Sequence, residues 1–133
     1  MTFEREGAPP VANPAAHRLA RELRKLKSYG HSSFASLTGT DGSYVQVAGG
    51  GVGCMLEWRD TRSHLHRRAF LEVPVVPFQD GTELTFGGGT IALRRDEWLN
   101  IQLVIEAFTA FSKGEAFPAT IRWRDVSEVV GLA

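Results

Sequence analysis

Between residues 32 and 73, apolar and polar side chains alternate with a period of two, and this pattern is the feature that most limits the fold. Turn chemistry interrupts the pattern at Asp41-Gly42, at Gly49-Gly50-Gly51 and in the polar stretch Asp60–Ser63. The intervals predict four consecutive strands, at about 33–38, 43–48, 52–59 and 65–73. Short turns between consecutive strands are typical of an antiparallel meander.

Two segments have the 3.6-residue period of helices instead. The first is predicted to begin at Asn13-Pro14 and to end near Gly30, and its polar face is basic. The second is predicted to begin between Asp96 and Asn100 and to end at Gly114. Its apolar stripe consists of Ile101, Val104, Ile105, Phe108 and Phe111. We expect this second helix to lie across the sheet as its main apolar cover.

The order of these elements predicts the fold class and the domain organisation. One more hairpin or a bulged strand at about 83–95 and a last strand at about 119–124 add to the meander. We therefore expect an α+β fold, an antiparallel meander sheet with helices packed on one face. Residues 1–12, which contain Gly7, Pro9 and Pro10, are predicted to be a flexible leader, and 13–133 a single domain.

Net charge and the lack of targeting signals argue against nucleic-acid-binding, secreted and membrane proteins. Fifteen basic and fifteen acidic side chains cancel, so direct binding of nucleic acid is not expected. The charged N-terminus does not have the pattern of a signal peptide, and no apolar run approaches the roughly 18 residues of a membrane span. We expect a cytoplasmic protein with no membrane association. Its one cysteine, Cys54, lies in an apolar run and is predicted to be a buried hydrophobe.

The residues that could carry chemistry form no catalytic pattern. His64 and His66 have a spacing that can share a metal ion, but no third ligand has a recognisable spacing to them. The two glycine clusters lead into strands and lack the lysine of a phosphate-binding loop. We therefore predict no enzymatic activity, no cofactor and no metal site.

Charged and aromatic residues near the strand ends are the candidates for partner binding. Tryptophan next to arginine is typical of binding hot spots, and it occurs at Trp58-Arg59 and at Trp123-Arg124. If the registers hold, charged side chains line the sheet face away from the helices. The predicted partner-binding residues are Glu57, Trp58, Arg59, Asp60, His66, Arg68, Arg122, Trp123 and Arg124.

Several phrases of the sequence together resemble a known family. They are Phe34-Ala-x-Leu, Asp41-Gly-Ser-Tyr-Val-Gln-Val-Ala-Gly49, Leu56-Glu-Trp-Arg59, Glu106-Ala-Phe108 with Phe111-x-x-Gly114, and Trp123-Arg-Asp-Val126. This set is similar to the tryptophan-containing α+β immunity proteins of bacterial polymorphic toxin systems. The resemblance spans about residues 32–130, rests on framework residues and leaves the basic first helix outside the pattern.

The resemblance implies a cytoplasmic immunity protein that binds a cognate protein toxin and neutralises it by occlusion. We also keep a homodimer of this chain as a second possible association. The alternative is a small ligand-binding protein or enzyme with a pocket between the sheet and the second helix. In that alternative, His64 or His66 and arginine side chains would act on an anionic small molecule.

Overall fold

A seven-stranded antiparallel sheet is the centre of the fold in the computed structural model, which describes residues 1–127. The strands of this part of the chain are β1 (Thr2–Arg5), β2 (Val11–Ala12), β3 (Phe34–Thr38), β4 (Tyr44–Gly50), β5 (Gly53–Asp60), β6 (Leu65–Phe70), β7 (Thr82–Phe86), β8 (Gly89–Leu93) and β9 (Arg122–Asp125). The order in the large sheet is β2-β1-β3-β4-β5-β6-β9, and β7 and β8 form a separate two-stranded sheet. The predicted meander is β3 to β6, and the α+β fold class is confirmed.

Two helices cover one face of this sheet: α1 (Ala16–Leu23) and α2 (Ile101–Lys113). The start and the end of α2 agree with the prediction. The Asn100 side chain accepts a hydrogen bond from the Leu103 amide at 2.9 Å, and Gly114 ends the helix in the left-handed conformation with φ of 67°. A single 3-10 turn, Arg95–Glu97, precedes α2.

The predicted bounds of the first helix are wrong. The helix begins at Ala16, because Asn13 has a positive φ of 46° and its side chain accepts a hydrogen bond from the N-terminal amino group instead of capping the helix. It ends at Leu23, well before Gly30.

The predicted flexible leader at residues 1–12 is also wrong. β1 pairs with β3 over four residues, and β2 pairs with β1. Phe3 is 1% exposed, and its ring meets that of Phe108 edge to face at 6.5 Å between centroids. The folded unit therefore begins at the first strand rather than at residue 13. The sequence signal was weak because a four-residue strand shows one buried position only.

The space between the sheet and the helices holds the larger core. Leu19 and Leu23 of α1 and Val104 and Phe108 of α2 pack there on strand residues, and all four helix side chains are fully buried. Cys54 and Leu56 face this layer, as predicted, and Trp58 packs against its edge. Val52 was predicted to share their face, but it lies in the turn before β5 and is 71% exposed.

The opposite face of the sheet has a cover of its own that the sequence did not predict. A smaller core, made of Ala48, Met55, Leu84, Leu93 and Trp98, joins β4 and β5 to the β7–β8 hairpin. Of the two predicted alternatives for this segment, the structure shows the hairpin, and its position across the sheet was not predicted. Trp98, which lies just before α2 in the chain, belongs to this second core. The fold therefore has three layers at this end: helices, sheet and hairpin.

Candidate functional site

A row of polar side chains crosses the sheet on the face opposite the helices. The registers place these residues side by side on successive strands, in the order Glu4, Ser36, Gln46, Glu57, Arg68 and Arg124. Neighbouring strands in a sheet lie about 4.8 Å apart, so each side chain in the row reaches the next. The half of the row from Glu57 to Arg124 lies in or near the protein interior. The other half, from Glu4 to Gln46, lines an open cleft.

Glu57 is the centre of the interior half. It is 3% exposed, and its carboxylate accepts hydrogen bonds from Gln46 at 2.7 Å, from His66 Nε2 at 2.9 Å and from Arg68 Nε at 2.9 Å. Burial raises the pKa of this carboxyl. The hydrogen bond from His66, the charge of Arg68 and the hydrogen bond from Gln46 lower the pKa, and together they outweigh the effect of burial. The net pKa of Glu57 lies below its ordinary value, so the side chain is a carboxylate at neutral pH.

The ion pairs continue from Glu57 to the 3-10 turn. Arg68 lies 3.6 Å from Glu97, and Glu97 accepts a 2.8 Å hydrogen bond from Arg124. Arg124 also pairs with Asp96 at 3.1 Å, and the hydrogen bond to Asp96 is the main reason why the pKa of this arginine is raised. We call Glu57, His66, Arg68, Glu97 and Arg124 the buried network. It cross-links β5, β6, β9 and the 3-10 turn.

His66 in this network is 2% exposed, and its Nδ1 has no hydrogen-bond partner among the described residues. Its ring packs edge to face on Tyr44, with 6.1 Å between the centroids. His64, by contrast, lies in the exposed turn between β5 and β6 with φ of 58°. The two histidines therefore do not share a strand face. His66 lies on the same sheet face as Glu57, away from α2, so its side chain does not reach the space between the sheet and α2.

The predicted partner-binding residues divide between the two faces of the sheet. Glu57, His66 and Arg68 were expected on an exposed charged face, and this expectation is wrong because the buried network holds all three. Arg124 is paired within the same network, Arg122 is paired with Glu72 at the surface, and Arg59 is half-buried on the same face. Trp58, Asp60 and Trp123 lie on the helix side.

Three aromatic rings meet at the edge of the helix-side core. Trp58 lies 5.0 Å from Phe117 and 5.4 Å from Trp123 between ring centroids, and Phe117 lies 4.9 Å from Trp123. The guanidinium of Arg67 stands over the Trp58 ring at 4.6 Å from its centroid. All four side chains are partly exposed. We call Trp58, Arg67, Phe117 and Trp123 the aromatic edge.

A shallow pocket of about 400 Å³ opens beside the aromatic edge, between the β3–β4 turn and the end of α2. Trp58 and Phe117 line its apolar side, and Asp41, Asp60 and Glu115 line its polar side together with Arg62. The backbone amide of Ser43 donates to Asp41 at 2.9 Å and lowers the pKa of that carboxyl. The surface is therefore apolar with a largely acidic rim.

Sequence reasoning did not identify Phe117 as a site residue. Phe117 lies in the loop after α2, between Ala116 and Pro118, where no periodic pattern marks its orientation. A short aromatic–proline pair before a predicted strand was the only signal.

Comparisons with protein-family models, with curated proteins and with solved structures return no significant match to this chain. Within residues 1–127, no three histidine, cysteine, aspartate or glutamate side chains are grouped so that they could hold a metal ion. In the same part of the chain, no helix is long and apolar enough to cross a membrane. We therefore infer the function from the geometry of the two surfaces that flank the sheet.

Proposed function

We propose that this protein is an immunity-type binding protein of the bacterial cytoplasm that neutralises a cognate protein toxin by occluding its active site. The aromatic edge is the observation that carries the proposal. Tryptophan and arginine dominate the binding energy of protein interfaces, especially where they are packed together and ringed by polar groups. Here two tryptophans, a phenylalanine and an arginine are held in one preformed patch.

The rigidity of the patch supports this role. Trp58 and Trp123 come from β5 and β9, and both pack against the core of the sheet. Their side chains are already ordered before any partner arrives, so little conformational entropy is lost on binding. A stable interface buries roughly 1,200–2,000 Å² in total. The acidic pocket next to the patch offers the additional polar surface that such an area requires.

The rim of the patch favours a partner with basic surface groups. Asp41, Asp60 and Glu115 lie around the pocket together with the basic side chain of Arg62. Complementary charge speeds the encounter of two proteins and fixes their orientation. We therefore expect the toxin surface that binds here to have an apolar depression surrounded by lysine or arginine side chains.

The experiment first asks whether a neighbouring gene encodes a large secreted protein with a toxic C-terminal domain, and then co-expresses that domain with this chain. Growth should be rescued by the wild-type chain, and purified chain and toxin domain should form a complex in light scattering. Light scattering of the chain alone measures the competing association, a homodimer. The proposal is contradicted if no neighbouring gene encodes such a protein. It is also contradicted if the toxin domain kills the cells although this chain is present and folded.

A further inference from the structure

A second opening, distinct from the aromatic edge, lies on the other face of the sheet under the β7–β8 hairpin. This hairpin cleft has a volume of about 420 Å³, within the range of small-ligand sites. Its floor is the open half of the polar row, Ser36, Gln46 and the edge of Glu57, with Met55 beside them. Its walls are apolar: Phe86 and Ile91 of the hairpin and Phe34 of β3.

The turn of the hairpin is tied down, so the cleft is preformed. The Gly87 amide donates to Ser33 Oγ at 2.7 Å, and the Ser33 hydroxyl donates to Glu6 at 2.7 Å. A side chain at position 87 would place its Cβ 2.1 Å from the Glu6 carboxylate, so only glycine fits this approach without displacing Glu6. The rings of Phe34 and Phe86 meet edge to face at 6.1 Å and close this end of the cleft.

The floor of the cleft presents hydrogen-bond acceptors that the protein does not use. The Gln46 amide nitrogen donates to Glu57, which leaves its amide oxygen as an acceptor. Within residues 1–127, that oxygen, the Ser36 hydroxyl and the Glu4 carboxylate make no hydrogen bond to other side chains or to the backbone. These three residues are neighbours in the polar row. A ligand that donates several hydrogen bonds in one plane would satisfy them together.

The charge around the cleft is negative. Glu57 is balanced by Arg68, but Glu4 and Glu6 form no ion pair among the described residues. Among residues 1–127, Arg5 is the one basic residue in the lining, and its guanidinium is turned to the helix side, where it pairs with Glu22 at 3.4 Å. The cleft thus combines uncompensated negative charge with aromatic walls, and aromatic faces attract cations.

We propose that the hairpin cleft binds an alkylguanidinium group, the chemistry of an arginine side chain. A guanidinium is planar and carries five N–H donors, which match the acceptors of Glu4, Ser36 and Gln46. The aliphatic stem of the group packs against the contacting rings of Phe34 and Phe86 and against Ile91. This inference is independent of the proposed toxin binding, because it concerns the opposite face of the sheet.

The test is a titration of the ¹⁵N-labelled full chain, followed by two-dimensional NMR at low salt, with N-acetyl-arginine amide as the probe. N-acetyl-citrulline amide has nearly the same shape without the charge and is the matched ligand. The arginine probe should give saturable shifts at the amides of Ser36, Gln46 and Phe86. Citrulline should bind at least about tenfold more weakly, since charged hydrogen bonds are the stronger ones. Equal binding of both probes, or shifts that do not saturate, would overturn the proposal.

Agmatine distinguishes the two sources of this chemistry. If agmatine binds as tightly as the capped arginine, a free small cation is a sufficient ligand. If agmatine binds more weakly than the capped arginine, the two amides of the capped probe contribute to binding. The ligand is then an arginine within a polypeptide.

Glu4→Gln is the diagnostic variant because Glu4 is exposed and its loss should not affect folding. It should weaken binding of the arginine probe at least about fivefold. The matched control is Glu83→Gln, an exposed carboxylate on β7 outside the cleft, which should leave the affinity unchanged. A loss of the same size in both variants, or in neither, would contradict the assignment.

Discussion

Glu57 and Arg68 form a buried ion pair across β5 and β6, with 2.9 Å between Glu57 Oε2 and Arg68 Nη2 and less than a tenth of either side chain exposed. Buried charges are costly to remove from water, and this pair is tolerated because Gln46, His66 and Glu97 supply further partners. The pair therefore belongs to the architecture of the sheet and is not available to a partner.

Replacing Glu57 should destabilise the fold strongly. Glu57→Gln keeps the shape of the side chain but leaves Arg68 buried without its nearest carboxylate, which should reduce the free energy of unfolding by about 3–5 kcal/mol. Urea unfolding followed by circular dichroism measures the loss. The control is Glu72→Gln, whose pair with Arg122 is well exposed and should contribute less than about 1 kcal/mol. A loss below about 1 kcal/mol for Glu57→Gln would contradict a stabilising role of the buried network.

The contribution of Glu57 should also depend on pH. Because its pKa in the folded protein lies below the ordinary value of 4.5, the folded state binds its proton more weakly than the unfolded state. Its stabilising contribution is present above about pH 4.5 and is lost as the pH falls through the lower pKa of the folded state. The difference in unfolding free energy between wild type and Glu57→Gln should therefore shrink as the pH falls below about 4.5. A difference that grows in acid would contradict the assigned direction.

The N-terminal strand should be essential for stability. Phe3→Ala removes a fully buried ring that contacts Phe108, and we expect a loss of about 3–5 kcal/mol in denaturant titration. Phe108→Ala serves as the comparison, since its ring is equally buried in α2 and should cost a similar amount. A loss below about 1 kcal/mol for Phe3→Ala would show that residues 2–5 do not belong to the cooperative unit.

Cys54 should be unreactive in the native protein. Burial raises the pKa of its thiol to about 12, so roughly one molecule in ten thousand carries the thiolate at pH 8. Reaction with a disulfide reagent should be at least about a hundredfold slower than in concentrated guanidinium chloride. Comparable rates in the two solvents would mean that β5 opens readily.

If the aromatic edge binds a toxin, Trp58 and the Arg67 side chain stacked on it should both contribute to the binding free energy. Truncating both Trp58 and Arg67 to alanine should cost at least about 2 kcal/mol of binding free energy in calorimetry. Arg59→Ala is the matched control, because Arg59 follows Trp58 in β5 but lies on the opposite face. Circular dichroism must show that the double variant is folded. Unchanged affinity in a folded double variant would exclude the aromatic edge from the interface.

Local pattern was sufficient for much of the fold. The alternation in residues 32–73 and the turn residues between the strands determined the meander, because side-chain direction in a strand depends on sequence position alone. Capping by Asn100 and Gly114 likewise determined the bounds of α2. The alternation also placed Glu57 and Arg59 on the face away from the helices.

The candidate sites needed the tertiary structure, since burial on a sheet face depends on what packs over it. The β7–β8 hairpin and the 3-10 turn are distant in sequence from Glu57 and Arg68, and they convert that half of the charged face into an interior network. Trp58, Phe117 and Trp123 are likewise separated along the chain and meet only because β9 returns to pair with β6. Periodicity specifies which face a side chain occupies, whereas only long-range packing decides whether that face is covered.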